Sequence, residues 1–157
     1  MNAYYLDDSI RPELERLVGR WWELPERPRL ESYQQYLDEL ERSKGEFLLL
    51  PHAHARGGPG RFDLPLRPAY QTNVEICSVH GVFEPFYDKW LQHGHFVGVH
   101  GSGDNHMTST GNGNPGWHYP NTNGLAGAWG RARTRRGIWD AIRDRRTLGV
   151  TGNQRIY

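Results

Sequence analysis

Asp104 and His106 stand two residues apart in the stretch Phe96-Val97-Gly98-Val99-His100-Gly101-Ser102-Gly103-Asp104-Asn105-His106. If that segment is still extended, both side chains project the same way, and one oxygen and one nitrogen can reach the same cation at about 2.0–2.2 Å. Gly101 and Gly103 let the backbone turn sharply beside them. Taken alone, an Asp-x-His pair would more simply bond its own backbone. What favours a metal is that other polar residues also fall just past apolar runs: His52 and His54 after 46–50, and His80 after 74–79. In a barrel or an open α/β sheet such strand ends share one face, where sites are built. Glu75 lies inside the second run and is read as a ligand, a base, or a buried carboxylate paired with arginine. His54 and His80 would line the cavity, bonding a bound group or orienting a ligand. Arg56 and Arg61 follow closely enough to clamp an anion in bidentate fashion, although loop arginines are commonly just solvated. His93, His95 and His118 read as surface or loop residues.

Positioning these groups requires strands and helices, and the apolar periodicity supplies them. Leu14, Leu17, Val18 and Trp21 recur at helical spacing after Pro12, and Tyr33, Tyr36, Leu37 and Leu40 make one face between Glu31 and Arg42. Glu46-Phe47-Leu48-Leu49-Leu50 reads as a strand buried on both faces and of parallel type. Residues 55–72 form a Gly- and Pro-rich loop. Val74–Val79 is a second strand, with Glu75 and Cys77 on one face and Val74 and Ile76 on the other. If helices cover the outer face, Glu75 points inward. Phe83, Phe86, Tyr87, Trp90 and Leu91 form a continuous helical stripe that ends at Gly94, and a strand at 96–100 leads into the Asp104 loop. After a long loop at 107–123 come a short strand at 125–129, a helix capped by Thr134 with Ile138, Trp139 and Ile142 on its apolar face, and a last strand at 148–150. Alternating helices and short buried strands predict an α/β architecture with a mainly parallel sheet.

A chain of 157 residues suits a single domain with a sizeable core, and 36% hydrophobic with 12% aromatic residues leaves no case for disorder. The net charge of +1 creates no global field that would draw nucleic acid or membrane. Arg131, Arg133, Arg135, Arg136, Arg143, Arg145 and Arg146 fall on the face opposite Ile138 and Ile142 with Asp140 and Asp144 among them, the pattern of a solvated helix face rather than a nucleic-acid groove. The one cysteine, Cys77, lies in an apolar run and reads as a buried small hydrophobe. Neither a secretory signal nor an uncharged apolar run long enough to span a bilayer is found, so the expected location is cytoplasmic, with no membrane partner.

As an ordered set these residues resemble the PHP superfamily, the polymerase and histidinol phosphatase-like metal-dependent phosphoesterases. Gly101-Ser102-Gly103-Asp104-Asn105-His106 is similar to the family's late Gly-Ser-Asp-x-His motif, Leu50-Pro51-His52 to its strand-end histidine motif, and Val74-Glu75-Ile76 to the Glu-Ile strand between them. The run from Gly124-Leu125 through Arg135-Arg136-Gly137-Ile138-Trp139-Asp140-Ala141-Ile142 to Thr151-Gly152 resembles the end of the barrel in an uncharacterised bacterial branch. The resemblance extends from about His52 to the C-terminus.

It implies a distorted, TIM-like β/α barrel that binds divalent ions (Mn, Zn or Fe) and hydrolyses phosphate esters or related anions with metal-activated water. His52, Asp104 and His106 would be the metal ligands. Glu75, His80 and His54 would manage protons, while Arg56, Arg61 and Asn105 would bind a phosphorylated small molecule or other anion. The family's opening His-x-His motif and second histidine motif have no match upstream of His52. The chain is therefore expected to be the C-terminal half of such a barrel, with 1–45 a helical lead-in and 46–157 the motif-bearing part. Its unpaired outer strands predict association, either as a homo-oligomer or with a complementary N-terminal chain. The competing reading is a non-catalytic half-barrel that binds a ligand or partner.

Overall fold

The computed structural model describes residues 2–6, 8–16, 30–43, 45–53, 66–103 and 124–151. An apolar run buried on both faces needs backbone partners at both edges, and the run at 47–50 finds them. Asn2–Tyr5 forms β1, which pairs antiparallel with β2 (Phe47–Leu50) in the register Asn2↔Leu50 to Tyr5↔Phe47. On its other edge Leu49 donates its N–H to the Tyr70 carbonyl at 2.8 Å. Just beyond, the chain runs beside β3 (Asn73–Ser78): His52 and Glu75 form a parallel bridge, in which Glu75 N–H donates to Pro51 and Ala53 N–H to Glu75. The turn Val79–His80 folds the chain back into β4 (Gly81–Val82), antiparallel to β3. β5 (Gly98–Gly101) pairs parallel with β3, placing Val99 opposite Val74 and His100 opposite Glu75, with a bulge before Cys77↔Gly101. β6 (Gly124–Ala128) and β7 (Thr147–Thr151) make a further antiparallel pair.

The helices cover these strands with the faces that periodicity marks. A 3-10 turn at Asp8–Ile10 runs on as helix over 11–16 and buries Ile10 and Leu14; Leu17, Val18 and Trp21 lie outside the described residues. α1 (Leu30–Arg42) buries Tyr36, Leu37 and Leu40 against β2, in a core that also takes in Tyr70, Trp139 and Ile142. α2 (Glu84–Gln92) lays the fully buried Trp90 on Val74, Val97 and Ala53, with Phe83 and Tyr87 half-buried beside it. Each large side chain so buried contributes about 1.5–3 kcal/mol. The expected continuous stripe is narrower than its spacing suggests, because Phe86 and Leu91 stay exposed. α3 (Arg135–Arg143) begins as predicted, with Thr134 Oγ1 accepting the Gly137 N–H at 3.0 Å. Trp139 and Ile142 are buried, whereas Ile138, expected on the same face, is 49% exposed.

The expected partial barrel with mainly parallel strands does not form. Three of the strand pairings are antiparallel, β3–β5 and the His52–Glu75 bridge are parallel, and the described residues close no barrel. Two local causes account for the difference. The tail at Asn2–Tyr5, expected to belong to a helical lead-in, is a strand that takes the free edge of β2 and runs against it. Both ends of the α3 excursion are also pinned together: Trp129 N–H donates to the Arg146 carbonyl and the Arg146 guanidinium to the Trp129 carbonyl, each at 2.9 Å. β7 must therefore start where β6 stopped and run back along it. Among the described residues no helix is long and apolar enough to cross a membrane.

Candidate functional site

Glu75 is where the elements converge. Alternation along β3 sends Val74 and Ile76 under α2 and sends Glu75 to the opposite face, inward as its neighbours predicted. Its carboxylate is fully buried, and both oxygens are engaged. His52 Nδ1 lies 2.6 Å from Oε1, and Ser102 Oγ donates to Oε2. A carboxylate can only accept, so the His52 proton on this side sits on Nδ1. The parallel register brings His100 alongside on the same face, 3% exposed. Its Nε2 is 2.9 Å from the Tyr4 hydroxyl, and the two rings meet edge to face with centroids 5.5 Å apart. Its Nδ1 is buried with no hydrogen-bond partner among the described residues.

Burial sets the protonation states. The Tyr4 phenol is pushed up to about 12 by desolvation, with the Glu75 charge adding to the effect. Cys77 is pushed up to about 11 for the same reasons in the same order and stays a thiol. His100 is pushed down to about 4 because desolvation outweighs the attraction of Glu75. The phenol and the imidazole are therefore both neutral, and across their 2.9 Å contact the Tyr4 hydroxyl donates when the His100 proton sits on Nδ1 and accepts when it sits on Nε2.

β6 passes close beneath this cluster. A Cβ on Gly101 would collide with the Leu125 carbonyl and the Cys77 Sγ, and one on Gly124 with the Cys77 and Ser102 carbonyls. Gly101, expected to serve a turn, serves a strand crossing instead. Cys77 is 1% exposed, with its Sγ 3.7 Å from the Val150 carbonyl.

Of the residues singled out in the sequence, His52 and Glu75 are brought together. His80 occupies the tight turn between β3 and β4, half-buried, with its N–H donating to Ser78 Oγ at 3.2 Å. His54, Arg56, Arg61, Asp104, Asn105 and His106 lie outside the described residues, which stop at Ala53 and Gly103 on either side of the Glu75 cluster. Among the described residues no group of three or more His, Cys, Asp or Glu is arranged to hold a metal ion, and His52 is the one expected ligand among them. Tyr4, His100 and Ser102 were not assigned roles from the sequence. His100 was visible as a polar residue inside a strand, but its value depends on the register that sets it beside Glu75.

The arginines of α3 and its flanks mostly hold the protein to itself. Arg136 pairs with Glu46 at 2.8 Å and Asp140 at 3.2 Å, and Arg143 with Asp140 and Asp144, both at 3.2 Å. Arg145 donates to the Phe96 carbonyl at 2.9 Å and covers the Phe96 ring at 4.7 Å.

A family described as Protein of unknown function (DUF3604) matches residues 88–157, from within α2 to the C-terminus. That span contains His100, Ser102, Asp104 and His106 but neither His52 nor Glu75. No curated protein matches the chain. No solved structure matches it either.

Proposed function

We propose that the protein is a metal-dependent hydrolase of phosphate esters or related anions, related to the PHP superfamily through its ordered motifs. The observation that carries this reading is the His52–Glu75 pair. A buried carboxylate that holds one ring nitrogen fixes the tautomer and orientation of the imidazole, which is how ligating histidines are prepared. This donor chemistry fits a divalent ion. His52 would hold it together with Asp104 and His106, and the bound ion would supply Lewis-acid activation of water and neutralise phosphoryl charge. Glu75 orients His52 through Nδ1, and Ser102 orients Glu75. His54 and His80 would carry protons, while Arg56, Arg61 and Asn105 would bind the anionic oxygens of substrate.

A second reading, a non-catalytic binding module, is favoured by the engagement of both Glu75 oxygens inside the protein. The two readings part over metal. The chain is prepared without chelator and analysed for Mn, Fe and Zn. Melting temperatures of the original protein, Asp104→Asn and His52→Gln are then measured with and without Mn or Zn, and a generic phosphate ester is assayed with added Mn. Metal should stabilise the original and neither variant, and turnover should need the metal. Equal shifts in all three proteins, without turnover, would overturn the enzyme reading.

A further inference from the structure

We propose that Tyr4 is a positioning residue that couples the docking of β1 to the readiness of His52, by holding His100 away from Glu75. The inference rests on the reading of His52 as a metal ligand.

Glu75 and His100 occupy paired positions on β3 and β5, so their side chains leave the sheet on one face with both groups buried. A buried carboxylate is the strongest acceptor there, a neutral imidazole always carries one N–H, and His100 Nδ1 has no hydrogen-bond partner among the described residues. Left to itself, that imidazole would turn toward Glu75 and displace His52 or Ser102 from it. What restrains it is the Tyr4 hydroxyl on Nε2, reinforced by the edge-to-face contact of the rings. Tyr4 comes from the antiparallel edge strand, 96 residues away in the chain. Only when β1 is docked is Glu75 reserved for His52, so a contact that touches no reacting group decides whether the ligand is aimed.

The test combines long-range nitrogen–proton NMR of the histidine rings with zinc titration, on the full chain, for the original protein, Tyr4→Phe, His100→Leu and the double variant. His100 should carry its proton on Nδ1 in the original. Tyr4→Phe should shift the His52 Nδ1–H resonance and weaken zinc binding about tenfold, the size of effect known for residues that orient ligands. In the double variant no imidazole competes for Glu75, so both the resonance and the affinity should return. If Tyr4→Phe leaves His52 unmoved, or the double variant is no better than the single, the proposal fails. If Tyr4→Phe does not fold, His100→Leu decides alone: an unchanged His52 resonance supports the proposal and a displaced one overturns it. A protein that binds no zinc yet shows the expected His52 pattern would refute the metal reading and leave the positioning role standing.

Discussion

Two positions on β3, Asn73 and Glu75, both bury polar groups and do opposite things with them. At Asn73 the side-chain amide donates to the Ile142 carbonyl at 2.6 Å and to Thr72 Oγ1 at 2.9 Å, and its Oδ1 lies 2.8 Å from Thr147 Oγ1. Every partner is neutral, and the amide has bonds on both its oxygen and its nitrogen. Two residues on, Glu75 gathers an imidazole and a hydroxyl around a carboxylate, next to a histidine whose Nδ1 has no partner among the described residues. The first arrangement ties α3 and β7 to the sheet and specifies one structure. The second leaves charge and hydrogen-bonding capacity in the interior, at a cost to stability that a site can justify. Saturation of the whole cluster, rather than burial or polarity, separates the locking position from the reactive one.

That contrast can be broken experimentally. The largest loss is expected at the saturated position, Asn73. Asn73→Ala removes three buried hydrogen bonds, to the Ile142 carbonyl, Thr72 Oγ1 and Thr147 Oγ1, and should cost about 3 kcal/mol in urea denaturation even though Ile142 and Thr147 keep other partners, with any metal response retained. Gly98→Ala should approach the same loss, because its methyl would collide with the Asn73 Oδ1. If Asn73→Ala instead left stability intact and removed the metal response, the assignment of the two positions would be reversed.

Next in size is a pH effect confined to the Glu75 cluster. His100 falls from 6.5 to about 4 on folding, so between those values the unfolded chain binds a proton that the folded protein refuses. Stability is therefore full above about pH 6.5 and declines as the pH drops toward 4, by about 3 kcal/mol from this residue. Denaturation curves at several pH values should show the decline, and His100→Leu should flatten it. An identical slope in that variant would remove His100 as the source.

Smaller still, Ser102→Ala removes one donor to a carboxylate and should cost about 1–2 kcal/mol by the same measurement. The least effect on stability is expected from Glu75→Gln, within about 1 kcal/mol either way, because a buried charge disappears along with its bonds. The same substitution should weaken metal binding by about 10–100-fold. A large destabilisation without loss of metal binding would make Glu75 a structural lock like Asn73.

Elements were legible where one signal sufficed. Tyr36, Leu37 and Leu40 marked the buried face of α1, Thr134 its role as a cap, and alternation placed Glu75 opposite Val74 and Ile76. Strand direction was not legible, because helix–strand alternation favours parallel pairing only when each connection carries the chain to the far end. Here Trp129 and Arg146 bring it back to where it left. β1 carries no apolar alternation in Asn2-Ala3-Tyr4-Tyr5, and its pairing is dictated by the open edge of β2 rather than by its own residues. Of the candidate site, His52 and Glu75 could be found from position at or near a strand end. Tyr4 and His100 could not, since their meaning arises from register and from a contact between distant parts of the chain.

Cys77 sits beside the polar cluster, closed in by Gly101 of β5 and by Gly149 and Val150 of β7, and its thiol is held in the protonated form. An alkylating reagent needs both access and a thiolate. The folded protein denies it both, so the rate at which Cys77 is labelled measures how often β6 and β7 lift from β3. The chain thus carries its own single-site clock for that opening, readable by mass spectrometry without an introduced probe.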